Sequence, residues 1–173
     1  MLNPKIQKRQ VGPGEFGLFA MERIAAGERI WTPEFDAERP IRQLRWEEIQ
    51  QLPPEERGVF LRFCYQIDTN LFSGYTSMAD AEADDANFMN HSCDPNCWYD
   101  ANDTLTARRD ILPGEEITYD YATDSTDRDW GFSCCCASAS CRGSLHRDDW
   151  KALEHKYGDH FISYINTKLR LRT

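Results

Sequence analysis

The chain has 173 residues, 40% of them hydrophobic, and carries a formal net charge of −9. That length suits one domain with its own core, and no apolar run approaches the roughly 18 residues that a membrane span needs. The negative charge argues against direct nucleic-acid binding, which calls for basic patches. An acidic surface either draws cationic partners such as Lys/Arg-rich protein tails or simply keeps the protein soluble. Residues 1–10 are polar and basic without a leader-like apolar stretch, which reads as an intracellular protein.

Phe16–Ala20 and Glu28–Trp31 read as short strands separated by the turn signal Ala25-Ala26-Gly27. Pro33 and Pro40 then break regularity. Trp46–Gln51 predicts a first helix. Pro54-Glu55-Glu56 opens a second, with Pro in the first turn and acids at its positive end. Val59, Phe60, Phe63 and Cys64 supply its apolar face. Cys64–Asp68 reads as a strand, and the polar, Ala/Asp-rich stretch that follows to Asp85 reads as a loop.

Next comes the string Asn90-His91-Ser92-Cys93-Asp94-Pro95-Asn96, in which Asp94-Pro95 marks a turn. Trp98-Tyr99, Thr104–Ala107 and Glu116–Tyr119 predict short strands, with turns at Asn102-Asp103 and Pro113-Gly114. Asp148 or Asp149 is placed to cap a last helix carrying Trp150, Leu153 and Tyr157, which Gly158 interrupts. Many short strands around one helical insert predict a β-rich α+β fold.

The chain has seven cysteines. Three are spaced C-x-C-x4-C, at Cys134, Cys136 and Cys141. Cys93 lies about forty positions upstream. Four thiolates suit a closed, structural tetrahedral zinc site, and in a reducing compartment this reading is better than disulfides. Cys135 lies between two of these ligands and is expected to point away, though it is chemically able to replace a neighbour. Cys64 and Cys97 are left over. A thiol redox centre is the competing reading of Cys134-Cys135-Cys136, but adjacent cysteines lack the usual C-x-x-C spacing.

Three strings carry a family resemblance. Asn90–Asn96, then Gly114-Glu115-Glu116-Ile117-Thr118-Tyr119-Asp120-Tyr121, then Cys134 to Cys141 with Arg142-Gly143, closely resemble the SET and post-SET segments of SET-domain protein lysine methyltransferases, in the family's order and spacing. The resemblance covers about residues 10–143, with no cysteine-rich pre-SET segment before it. It implies a SET domain over 10–123 with a variable helical insert at 34–85, a post-SET zinc segment at 130–146 and a C-terminal helical extension at 147–173. The implied fold is several small curved sheets around a knot-like crossing, in which the Tyr121 segment passes beneath a loop near the Asn90-His91 string.

The implied activity is S-adenosylmethionine-dependent methylation of protein lysine, histone lysine first among candidates, by a monomer. If the organism is eukaryotic, the implied compartment is the nucleus. Tyr121 matches the catalytic tyrosine; its competing reading is a core tyrosine with a bonded hydroxyl. Tyr119, on the same strand face, matches the position whose phenol favours one or two methyl groups. Asn90 and His91 match residues that hold the donor's adenine and amino-acid ends. Phe16, Gly17 and Leu18 match a Gly-x-Gly loop that approaches the donor through its backbone. Here Glu15 replaces the first glycine, and Gly14 is the candidate to compensate. Glu115 and Glu116 read as solvated. Asp80–Asp85 supplies no aromatic to the lysine channel, leaving Tyr75 or Phe72 as substitutes. Trp130 and Phe132 are candidates to cover the donor or to pack around the metal. The alternative function is a non-catalytic SET-fold scaffold that binds basic tails.

Overall fold

The computed structural model describes residues 1–33, 40–126 and 132–172, and among these the strands form five small sheets. Trp130, and the head of the insert at Glu34, lie outside the described residues. In chain order the elements are β1 (Ile6–Gly12), β2 (Glu15–Ala20), β3 (Arg29–Trp31), β4 (Arg42–Arg45), α1 (Trp46–Gln51), α2 (Pro54–Phe63), β5 (Tyr65–Asp68), β6 (Leu71–Gly74), α3 (Met78–Ala83), β7 (Asn90–His91), β8 (Cys97–Tyr99), β9 (Leu105–Ala107), β10 (Thr118–Tyr119), β11 (Phe132–Ser133), β12 (Ser144–Leu145), α4 (Asp149–Tyr157) and α5 (Ser163–Arg170). The α+β class, with helices in the insert, matches the sequence expectation.

β1 and β2 form an antiparallel hairpin whose tip carries Gly14 at φ +75°. That backbone conformation suits glycine, and a Cβ there would meet nothing within 4 Å. Gly14 is therefore a turn residue, and no protein atom crowds it. β1 escaped the sequence pattern because Gln7, Lys8, Arg9 and Gln10 face solvent or lie at its edge. Pairing with β2 holds it, not its own apolar content.

β3, β9 and β8 make a second sheet, and β4, β6 and β5 a third. The third sheet corrects the expected loop before Asp85: β6 and α3 both lie there. β6 is the central strand, hairpin-paired to β5 just before it and paired on its other edge to β4, some thirty positions upstream. α3 is short but capped, because the Ser77 hydroxyl accepts from the Asp80 N–H. α1 and α2 form as expected, α2 with Pro54 at its start, Glu55 and Glu56 in its first turn and Val59 and Phe60 buried.

The main core joins both ends of the chain. Leu18, Ile24, Ile30, Ile111 and Ile117 are fully buried together with Tyr157 and Ile165 from the C-terminal helices and Phe161 from the link between them. Residues 147–172 thus complete the main core rather than hanging from it. Gly158 ends α4 at φ 59°, as expected, and a second helix, α5, follows. Asp148 occupies the cap position of α4 but makes no cap bond; its carboxylate pairs with Lys151 instead. Outside this core, Leu44, Ile49, Phe60, Cys64 and Phe72 form a separate cluster inside the insert.

The N-terminal segment is tied down by Glu28. Its carboxylate accepts from Lys5 Nζ at 2.8 Å, from Asn3 Nδ2 at 3.2 Å and from the Ala25 N–H at 3.1 Å. The Lys5 hydrogen bond, then those of Ala25 and Asn3, hold Glu28 down to about 2 from an ordinary 4.5. A depressed carboxyl contributes stability that is fully present above its unfolded-state value and is lost as pH falls through its folded value. Glu28→Gln should therefore lower the melting temperature at pH 7 by about 2–4 °C, and the gap to wild type should close between about pH 4.5 and pH 2 in calorimetry at stepped pH.

Candidate active site and metal centre

The Sγ atoms of Cys93, Cys134, Cys136 and Cys141 all lie within 4.8 Å of one another. Cys93 to Cys134 and Cys141 to Cys134 are both 3.7 Å. A tetrahedral ion with metal–sulfur bonds of ~2.3 Å requires sulfurs about 3.8 Å apart, so these four thiols fit a closed tetrahedral site. Cys135 is exposed and lies outside the cluster, as the alternating direction of an extended segment requires.

The surrounding groups are those that stabilise thiolates. Backbone N–H groups of Cys93 and Arg142 point at Cys136 Sγ and Cys93 Sγ, each at 3.4 Å. His91 Nδ1 accepts from the Tyr121 N–H at 3.2 Å, so the ring proton sits on Nε2, 3.3 Å from Cys93 Sγ. Burial pushes His91 down to about 4, against the pull of Asp120, so the ring is neutral at physiological pH. A neutral imidazole oriented by a backbone group and donating to a ligand atom is a typical outer partner of a metal site.

A second link joins the same two regions. Asp120 is completely buried between Tyr119 and Tyr121. Arg142 donates to both its oxygens at 2.7 Å, while the Tyr157 hydroxyl donates at 3.0 Å and the Ala122 N–H at 3.1 Å. Arg142 Nε also lies 3.1 Å from Asp149 Oδ2. One carboxylate thereby holds the tyrosine segment, the cysteine loop and α4 in register. Nothing local marks this pairing, since Arg142 and Tyr157 lie 22 and 37 positions away in the chain.

β7 and β10 pair in parallel, bringing Asn90-His91 beside Thr118-Tyr119. The rings of Tyr119 and Tyr121 stand 5.0 Å apart, and both line one cavity of about 380 Å³, within the range of small-ligand pockets. Its other aromatic walls are Trp31, Phe63, Tyr65, Tyr75 and Tyr99, with Met89 and Asp124. Tyr121 donates to the Met89 carbonyl at 3.0 Å. Burial first, and the nearby charge of Asp124 next, push the Tyr121 phenol well above its usual 10. Tyr119 and Tyr99 move the same way for the same reasons. These phenols are hydrogen-bonding groups and not bases at neutral pH.

Of the two candidate substitutes for the missing channel aromatic, Tyr75 lines the cavity, its hydroxyl bonded to Asp84 at 2.8 Å. Phe72 does not; it packs in the insert's own cluster. Phe132 is partly exposed, and its ring rests 5.9 Å from Tyr121 and 6.0 Å from His91. Sequence reasoning missed Trp31, Tyr65 and Tyr99 as walls, because only the fold brings three separate strands to one hollow.

Asn90 donates to the Phe16 carbonyl at 3.0 Å and to Glu116 Oε1 at 2.7 Å. Gly17 lies beneath them: a Cβ there would come 2.5 Å from Glu116 Oε1 and 3.2 Å from Asn90 Nδ2. Phe16, Gly17 and Asn90 thus form one surface, and Glu116, expected to be solvated, is part of it. Leu18 differs: its side chain is fully buried and its carbonyl accepts from the Ile117 N–H at 2.7 Å.

A family model for the SET domain matches residues 15–122. Histone-lysine N-methyltransferase set-2 of Caenorhabditis elegans is 34% identical over 138 residues, covering 76% of this chain and 8% of that protein. A histone-lysine N-methyltransferase, H3 lysine-4 specific, of Mycosarcoma maydis is 32% identical over 139 residues, 76% of this chain and 9% of that protein. Histone-lysine N-methyltransferase SETD1B of Homo sapiens is 31% identical over 139 residues, 76% and 7%. The chain therefore spans less than a tenth of the length of these curated relatives.

Removing one partner of a buried ion pair leaves an uncompensated charge. Arg142→Met should therefore lower unfolding free energy by about 3 kcal/mol in urea titrations, and Arg142→Lys, which keeps the charge but loses the two-pronged geometry, should fall between.

Proposed function

Because the chain belongs to the SET-domain family, we propose that it transfers one or two methyl groups from S-adenosylmethionine to a lysine of a protein tail, with histone the leading substrate. The observation that carries this reading is the pair Tyr119–Tyr121, 5.0 Å apart and facing one aromatic-walled cavity, on a strand paired to Asn90-His91. The domain reading stays as the resemblance implies: a SET domain at 10–123, a post-SET segment at 130–146 and a helical extension after it. The relatives' names support a histone substrate and a nuclear, chromatin-associated setting, and a net charge of −9 complements a Lys/Arg-rich tail.

When bound, the donor supplies an electrophilic methyl on a sulfonium. Phe16, Gly17, Asn90 and His91 are the residues placed to hold it, chiefly through backbone and the Asn90 amide, with Leu18 shaping the loop from the core. The chain's own part in the reaction is positional. The cavity walls strip water from the incoming ammonium, which favours its neutral form. The Tyr121 hydroxyl donates a hydrogen bond to the Met89 carbonyl, leaving oxygen lone pairs toward the reacting centre. Tyr119 occupies space that a more heavily methylated amine needs. With both phenols held protonated, the proton leaves through water. Cys93, Cys134, Cys136 and Cys141 would hold one structural Zn²⁺, which has no open position for chemistry and acts by ordering the segment that places Phe132 against Tyr121.

With labelled donor and an array of histone peptides, the wild-type chain should label lysine, ending at one or two methyls by mass. Tyr121→Phe should lower kcat about a hundredfold, and Tyr119→Phe should raise the methyl number. Metal removal by chelation should lower the rate and increase amide exchange across residues 132–146. Peptides bound but never labelled would make the chain a binding scaffold instead.

A further inference from the structure

We propose that α4 is a latch on the four-cysteine centre, with Lys156 and Asp149 as positioning residues that slow release of the metal. The inference rests on the zinc reading of Cys93, Cys134, Cys136 and Cys141, and it gives a role to a helix outside the residues matched by the SET-domain model.

The centre is built from two pieces of chain. Cys93 follows β7, and the other three thiols come from one loop. A site of four thiolates has no open position, so a competing ligand reaches the ion only after one thiolate has swung away. Cys93 is joined to the others by a long connection, 41 residues from Cys134. The seam between the two pieces is therefore the place to open. α4 spans that seam. Its residues that are not exposed are Asp149, Trp150, Leu153, Lys156 and Tyr157, which form one helical stripe. Trp150, Leu153 and Tyr157 belong to the main core, and the two charged members reach opposite sides of the seam. On the loop side, Asp149 Oδ2 lies 3.1 Å from Arg142 Nε and accepts from the His146 N–H at 3.2 Å. Arg142 directly follows Cys141, and its N–H points at Cys93 Sγ. On the other side, Lys156 Nζ donates to the Cys93 carbonyl at 2.5 Å and stands 3.9 Å from Asp94 Oδ1. The Lys156 side chain is 22% exposed, and its ammonium lies 5.1 Å from the centre of the Tyr157 ring.

Both contacts act on the chain that carries the ligands and leave the sulfurs themselves alone. Withdrawing Cys93 parts its carbonyl from Lys156, and lifting the loop parts Arg142 from Asp149. Groups outside the ligand set that fix ligand position in this way commonly govern metal affinity. Charge acts in the same direction. Four thiolates outweigh the charge of a divalent ion, so the loaded centre would be anionic, and an ammonium held beside Cys93 offsets that charge. Lys151 supplies a comparison on the same helix. It is exposed and pairs with Asp148, so it carries the same charge without reaching the seam.

The test uses the full chain loaded with zinc, without donor or peptide. Metal release is followed by the colour of a chromophoric chelator in excess. Lys156→Met, which keeps most of the apolar stem, and Asp149→Asn should each release zinc about tenfold faster than wild type. Lys156→Arg, which keeps the charge and the donors, should stay near the wild-type rate, and so should Lys151→Met. Wild-type release rates in folded Lys156→Met and Asp149→Asn would overturn the inference. Equal acceleration by Lys151→Met would overturn it too, because the effect would then belong to the helix's charge and not to the seam. Should Lys156→Met fail to fold, Asp149→Asn decides by the same comparison with Lys151→Met. A wild-type chain that takes up no zinc by metal analysis would instead remove the zinc reading on which the inference stands.

Discussion

The carboxylate of Asp120 is the point on which the candidate site depends. It is wholly buried, and it lies between the two tyrosines whose rings face the cavity. A lone charge in that position would be prohibitively unfavourable. It is tolerated because Arg142, Tyr157 and the Ala122 N–H together satisfy it. Each of those partners comes from a different part of the chain, so the charge can be satisfied only when the cysteine loop and α4 have both docked on the tyrosine segment. Such a pair is weak support for stability against a well-packed apolar alternative, but it is specific, since any other register leaves the charge exposed to apolar surroundings.

The four cysteines close the same joint by other means. A metal held by Cys93 and the three tail thiols would tie the loop to the end of β7, while Arg142, one residue past Cys141, reaches Asp120 just after β10. These strands are neighbours in a parallel pair. The cysteine cluster and the ion pair therefore lie on adjacent strands, and the His91 ring bridges them, one nitrogen on the Tyr121 N–H and the other on Cys93 Sγ. A loop of this length with only two two-residue strands has little apolar surface of its own. Leu145 is its one fully buried aliphatic side chain. Polar and metal bonds must supply what a core would supply elsewhere.

The sequence revealed what is local. C-x-C-x4-C, the Asn90–Asn96 string and the Tyr119/Tyr121 alternation are readable because their chemistry depends on spacing along a few residues. α1 and α2 were readable from Pro54, the flanking acids and the apolar face. β1 and α3 were not, since polar residues on an edge or in a cap look like loop until a partner is known; β6, Leu71–Gly74, was missed because four residues ending in Ser-Gly are too short a pattern to mark a strand before its pairing is known. The cavity was only half legible. Its two central tyrosines follow from the strand period, but Trp31, Tyr65, Tyr99 and Asp124 reach it from four separate segments. Glu116 was misjudged for the same reason: its partner, Asn90, stands 26 residues away and meets it only through the β7–β10 pairing.

The electrostatics of the cavity set two demands in opposition. On the proposed reading, capture of a lysine side chain is helped by negative charge, which the chain supplies at long range through its net charge. Methyl transfer needs the neutral amine, and the same negative charge resists deprotonation. Burial acts the other way, since aromatic walls with few polar atoms disfavour any isolated cation. On the proposed reading, distance reconciles the two: the long-range field draws the ammonium toward the cavity mouth, and the aromatic walls act on it inside. Within those walls the amine can lose its proton to water before the methyl moves.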